Sequence, residues 1–254
     1  QRRARALEHP ASKPLTAANA AWKEAFRVTS GNFAGLEGEV ALRTGKDAAK
    51  PSIVRVYVDE RLLEAIPVPG TRLPVDLALS WPDRLIANFA YTAVERNDEL
   101  TRALHYALRV AALAVGRHRS DPALLRAGCQ TWSDATRALG DGRVEPAGFA
   151  DLASTPAWRT NDGRLVPLSA IYGYVQLTSA LCFATSTRPA PDGRLVVSAE
   201  DAPLLRSILG LELVRVSVLV VVDQLDVEDE QEADRLLLDA VHDRHEHVEA
   251  LALL

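Results

Sequence analysis
The sequence predicts a mixed α+β / α/β fold, an antiparallel-rich sheet with helices followed by a second α/β module. Three observations carry that prediction. Between residues 37 and 79, short segments alternate polar and apolar residues and are broken by glycine and proline, the period of half-buried strands. Residues 97–115 place Leu100, Leu104, Leu108 and Ala111 at helical spacing behind an acidic first turn, the pattern of an amphipathic helix. From residue 158 onward, short apolar segments alternate with helical ones, the cadence of α/β layers. The junction at 117–121 separates the two patterns. A mixed sheet-and-helix domain is therefore expected over residues 1–118, and a helix plus an α/β module over residues 119–254.

In chain order, residues 16–28 (TAANAAWKEAFRV) read as an amphipathic helix, with Thr16 as its cap and Trp22 and Phe26 four apart on one face. Residues 37–43 and 53–58 read as strands, from Val40 and Leu42 in the first and Val54, Val56 and Val58 in the second. The loop 45–51 is expected to join them as antiparallel strands. Asp59, Glu60 and Arg61 turn the chain into a third strand over 62–68. Pro67, Pro69, Gly70 and Pro74 then punctuate before a fourth over 75–79, which completes a meander.

After the 97–115 helix, residues 122–139 form a second, starting behind Asp121 and stopping at Gly140. Asp162-Gly163, set between Trp158-Arg159-Thr160 and Arg164-Leu165-Val166, marks a hairpin. A short helix over 168–172 capped by Ser169, a buried strand over 181–184, and a strand and helix ending at Gly210 follow. The five residues from Asp192 repeat the DGRLV of 162–166, a short internal repeat. Residues 213–222 read as a β-branched strand, and the acidic stretch 226–234 opens a terminal helix.

Composition narrows the class. The chain has 254 residues, 48% hydrophobic and 25% charged, with a net charge of −5. These are globular proportions, with no global positive field to gather nucleic acid or an anionic membrane. Apolar runs such as 218–222 are far below the roughly 20 residues of a membrane span. Cys129 and Cys182 read as two buried free thiols, with one disulfide as the alternative, and free thiols fit a cytoplasmic setting. No phosphate-binding glycine loop, nucleophile elbow or cysteine-nucleophile signature is present. His242, His245 and Glu246 share one helix face at metal-ligand spacing, but no second ligand group completes a site, and a polar surface face is the expectation. The acidic run lacks the glycine of a calcium loop. The sequence accordingly nominates no catalytic residue, no metal ligand and no cofactor. Trp81, near Ser80 and Pro82, and Tyr91, in the phrase Asn88-Phe89-Ala90-Tyr91, are candidate edges of a ligand or partner surface, together with Trp158.

Two segments carry a family resemblance. Residues 35–40 (GLEGEV), then 54–58 (VRVYV) with Arg61-Leu62-Leu63 and Pro67-Val68-Pro69-Gly70, resemble the region that follows the ATPase domain in divergent bacterial Hsp90-like (GHKL) proteins. Residues 158–168, with the Asp162-Gly163-Arg164 turn, are similar to strand-and-helix modules later in such chains. The ATP-binding motifs of that family are missing from this sequence, so the resemblance transfers no site residue. It implies a non-catalytic protein-interaction module that binds client or partner proteins. Two other readings stand beside it. One is a small-molecule-binding protein or enzyme with a pocket between the halves; the other is a self-associating structural protein.

Overall fold
The computed structural model describes residues 20–68, 70–118, 121–140, 149–184, 194–210 and 213–215. Thr16, the start of the second DGRLV copy, the strand beyond 215, the terminal acidic run and the His242, His245 and Glu246 group lie outside the described residues. The class is mixed α+β, as expected.

The first half is a five-stranded sheet built from β1 (Ala20–Arg27), β2 (Glu37–Arg43), β3 (Ile53–Val58), β4 (Arg61–Pro67) and β5 (Val75–Ser80). Its order is β1-β2-β5-β3-β4, with β3 and β5 parallel and the other neighbours antiparallel. The expected meander is corrected on this point, because β5 inserts between β2 and β3. All six residues of β5 are buried, and a strand buried on both faces belongs in the middle of a sheet. The edges fall to β1 and to β4, whose Arg61, Ala65 and Pro67 are exposed; proline and charge suit edge positions.

The expected helix over 16–28 is also corrected: residues 20–27 form strand β1. Trp22, Glu24 and Phe26 are half-buried while Lys23, Ala25 and Arg27 are exposed, an alternation of period two. An i, i+4 pair of aromatics fits that period as well as the helical one, and pairing with β2 decides between them. Gly38 lies opposite Phe26 in the register. A Cβ there would approach Ala78 O to 2.5 Å and the Phe26 ring to 2.6 Å, so the bare backbone makes room for Phe26 to reach Tyr106.

One sheet face carries Val40, Leu42, Val54, Val56, Val75, Leu77 and Leu79 in a continuous core, covered by α1 (Asp98–Arg117), which packs across β2 and β5. Asn97 caps α1 by accepting from the Leu100 amide at 2.9 Å. On the opposite face, Lys23 pairs with Glu39 at 2.7 Å and Arg43 with Asp76 at 3.5 Å. Burial pushes the Asp76 carboxyl above its ordinary value, although Arg43 and Arg55 pull it down.

The helix α2 (Pro122–Ala138) starts behind Asp121, whose carboxylate accepts from the Ala123 and Leu124 amides. It packs along α1 and shares its core, so the junction at 117–121 joins two helices buried against each other. The short α3 (Ala150–Ala153) meets α1 closely, and a Cβ on Gly116 would lie 2.7 Å from the Leu152 backbone. The hairpin of β6 (Pro156–Arg159) and β7 (Leu165–Pro167) forms at Asp162-Gly163 as expected. The Thr160 hydroxyl and Arg164 both bond the Asp162 carboxylate and hold its pKa below the ordinary value.

The next helix, α4 (Leu168–Thr178), is longer than expected and begins at Leu168 behind Pro167 rather than at a Ser169 cap. A parallel three-stranded sheet closes the described chain, in the order β10-β8-β9, from β8 (Leu181–Ala184), β9 (Val196–Ser198) and β10 (Leu213–Arg215). Between β9 and β10 lies α5 (Ala202–Leu209). Asp201 ties these parts together: it accepts from the Arg159 amide at 2.8 Å and pairs with Arg126 at 3.5 Å. Cys129 and Cys182 are buried and free. Among the described residues no helix is long and apolar enough to cross a membrane.

Candidate partner-binding surface
The chain between β5 and α1 holds both Trp81 and Tyr91, and it places them differently. Trp81 is buried at its start. Its indole N–H donates to Ala34 O at 3.0 Å, its ring stacks on Phe33, and the Arg84 guanidinium lies 5.9 Å from its centroid. Leu85 is buried beside it. From Ile86 the chain leaves the core as a narrow excursion that returns at Val94, closed by an Ala87–Val94 bridge and by Glu95 N donating to Ile86 O at 2.8 Å.

The tip of this loop is organised by Asn88. Its side-chain oxygen accepts from the Thr92 amide at 2.9 Å and the Ala93 amide at 3.2 Å, and its amide nitrogen donates to the Thr92 hydroxyl at 3.2 Å. Backbone bonds from Asn88 N to Ala93 O and from Tyr91 N to Asn88 O add to the frame. These side-chain bonds stand in for a regular ladder across the tight turn. Tyr91 adopts φ 54, the left-handed region that costs a bulky side chain energy and persists only where neighbours impose it. The loop base is held on β4 by Glu64, which accepts from Val94 N at 3.1 Å and pairs with Arg96 at 2.6 Å.

This frame points apolar groups at water. Phe89 is fully exposed, Tyr91 is 72% exposed and Ile86 49%. Leu62, on the same strand as Glu64, is exposed as well. Three of the large exposed hydrophobics among the described residues thus fall on one short loop, and grouped exposed apolar residues mark interaction surfaces, whereas isolated ones do not.

A cavity of about 340 Å³ lies beside the root of the loop, reaching Trp81 and Leu85 on one side and the β3–β4 turn on the other. Asp59, Glu60 and Asp83 line it from left-handed backbone positions, φ 49, 65 and 66, and Glu37 lines it from β2. A second, smaller cavity between α1 and α2 is lined by His105, Gln130, Thr131 and Asp134, and burial lowers the His105 pKa, favouring the neutral imidazole. Among the described residues no group of three or more His, Cys, Asp or Glu is placed to hold a metal ion.

The three aromatic candidates do not form one cleft. Trp158 is fully buried in β6 and lines none of the cavities described above, so as an exposed edge it is corrected to a core residue. Phe89, inside the quoted Asn88–Tyr91 phrase, is the residue most fully presented, and sequence reasoning passed over it along with Ile86, Leu62 and Glu64. The readable signal was Asn88 four residues before Thr92, a turn-forming side chain next to aromatics. No family model matches the chain, and no curated protein matches it.

Proposed function
We propose that the chain is a non-catalytic protein-interaction module that binds a partner or client protein through loop 86–94. The observation that carries this reading is Phe89, held in water by a loop whose backbone is fixed by Asn88. A fully exposed phenyl ring contributes nothing to the core. Burying it against a partner is favourable by about 2 kcal/mol or more. Because the loop is already ordered, little of that gain is lost to ordering on binding. The resemblance to the region after the ATPase domain of Hsp90-like proteins is part of the same proposal, since it implies a partner-binding role.

The test pairs the wild-type chain with the double variant F89A/Y91A. Both side chains project into solvent, so the variant should unfold at the same denaturant midpoint. Affinity capture from source lysate is expected to recover a partner with the wild type and lose it with the variant. Self-association in analytical ultracentrifugation that disappears in the variant would identify the partner as a second copy. Equal recovery by the two proteins, or capture of nothing by the wild type with no self-association, would overturn the proposal.

A further inference from the structure
We infer that the free edge of β4 is a docking site for an extended, uncharged segment of a partner protein, which joins the five-stranded sheet as a further strand. The inference rests on the reading of loop 86–94 as a partner surface and names the form the partner takes there.

The sheet has two edges, β1 and β4, and their side chains differ. β1 carries Lys23, Glu24 and Arg27, with Lys23 and Arg27 exposed; charge along an edge keeps foreign strands from pairing. In β4 such protection is confined to the two ends, Arg61 and Pro67. Between them lie Leu62, Leu63, Glu64, Ala65 and Ile66, whose one charge is taken by Arg96 at 2.6 Å. Leu62 and Ala65 are exposed.

A second observation concerns the backbone. Among the described residues, no main-chain N–H or C=O of 61–67 bonds outside the pairing with β3. The outward groups of an edge strand form a row that another extended chain can complete. Asp59 and Glu60, at φ 49 and 65, make the tight two-residue turn that sets β4 against β3. The edge is therefore ordered in advance, and little of the binding energy is lost to ordering it. The register skips Leu63, a bulge that bends the edge and leaves 64–66 as its regular stretch.

The loop defines what the added strand must carry. Glu64 and Ile66 lie opposite Val56 and Val54, and so on the α1 side of the sheet. Glu64 holds Val94 and Arg96 there, which brings the base of loop 86–94 to β4. Residues 86–94 include no charged side chain, and Ile86, Phe89 and Tyr91 are exposed. Alternate side chains of an added strand fall on that side. Apolar ones match the loop, whereas a charged one would lose water without gaining a counter-ion.

The experiment uses the folded full chain and two probes. One is an acetylated, amidated seven-residue peptide alternating threonine with valine; the other is the same peptide N-methylated at its three central amides. The first is expected to bind saturably and to slow hydrogen exchange of the outward amides of β4. The second keeps the apolar surface but lacks the donors, and should bind about tenfold more weakly or worse. Leu62→Lys/Ala65→Lys puts charge on the edge at two exposed positions. Its urea midpoint should match the wild type, while its affinity for the first peptide falls about tenfold or more. The exchange readout on the wild type decides the matter even if that variant fails to fold. Equal binding of the two peptides, protection confined to regions other than β4, or no binding at about 1 mM peptide would each overturn the inference. Undiminished peptide binding by L62K/A65K, with the lysate partner lost in F89A/Y91A, would overturn the edge site and leave the loop reading standing. Loss of the peptide in L62K/A65K, with the partner retained by F89A/Y91A, would do the reverse. A concentration-dependent dimer that L62K/A65K abolishes would make the occupant a second copy of this chain and overturn its assignment to a partner segment.

Discussion

Trp158 and Phe89 are both large aromatics next to turns, and the structure treats them in opposite ways. Trp158 sits on β6, in a strand four residues long, packed by α2 and α4, with no exposed surface. Phe89 sits on loop 86–94, fully exposed. The turn beside each is braced by a carboxylate or carboxamide that satisfies local donors: Asp162 near Trp158, and Asn88 near Phe89. Local order is therefore similar in the two places. The difference lies in what stands above the ring. Around Trp158 the helices supply apolar cover, and burial there contributes to stability. Around Phe89 no described element does, so the ring's surface remains available for association.

The largest effect that follows is at Trp158. Trp158→Ala should destabilise the fold by about 3–5 kcal/mol, read as a shift in the urea midpoint. Cys129 shares that core and is fully buried, and burial pushes its thiol up to about 12. The thiol of the wild type should therefore resist iodoacetamide at pH 8, whereas Trp158→Ala should be alkylated under the same conditions. Rapid alkylation of the folded wild type would break the contrast.

A smaller cost is expected where backbones meet. A methyl on Gly116 collides with the Leu152 main chain, which has no side-chain freedom to yield. Gly116→Ala should cost about 1–3 kcal/mol and leave the exposure of loop 86–94 unchanged by hydrogen exchange.

Asn88→Ala sharpens the comparison from the other side. It removes three side-chain hydrogen bonds from the loop. The global stability change should be about 1 kcal/mol or less, while exchange of the Thr92 and Ala93 amides accelerates. Partner capture should weaken although Phe89 and Tyr91 are still present. Unaltered exchange would show that the loop is ordered by something other than Asn88.

The smallest effect concerns pH. Burial lowers the His105 pKa in the folded chain below the ordinary 6.5, so below that pH the unfolded chain takes up a proton that the folded one refuses. Stability should then decline as pH falls from about 6.5 toward the folded-state value, by linkage. His105→Gln should flatten this part of the urea-midpoint profile between pH 7 and 5; an unchanged slope would place the titration elsewhere.

Elements with strong local signals were legible in advance. Asp121 ahead of the second helix, the 3.6-residue spacing of Leu100, Leu104 and Leu108, the Asp162-Gly163 hairpin and the alternation in β2 and β3 all express interactions within a few residues of chain. Of the candidate surface, Tyr91 and the phrase around it were legible, because an asparagine next to aromatics is a local pattern. Residues 20–27 were misread because Trp22 and Phe26 satisfy two periods at once, and only pairing with β2 chooses between them.

What the amino-acid sequence determined by itself is thus the mixed class, the ends of α1 and α2 and the Asp162-Gly163 turn, whose free energies come from neighbouring backbone and side chains. The tertiary structure alone decided that β5 lies between β2 and β3, that Trp158 is covered and Phe89 is not, and that Tyr57, Ser80 and Asp83 meet Asp59 and Glu60 at one cavity. Each of these depends on burial against residues distant in the chain. Burial is a property of the packed assembly, and the same aromatic side chain is core or surface according to which element arrives above it.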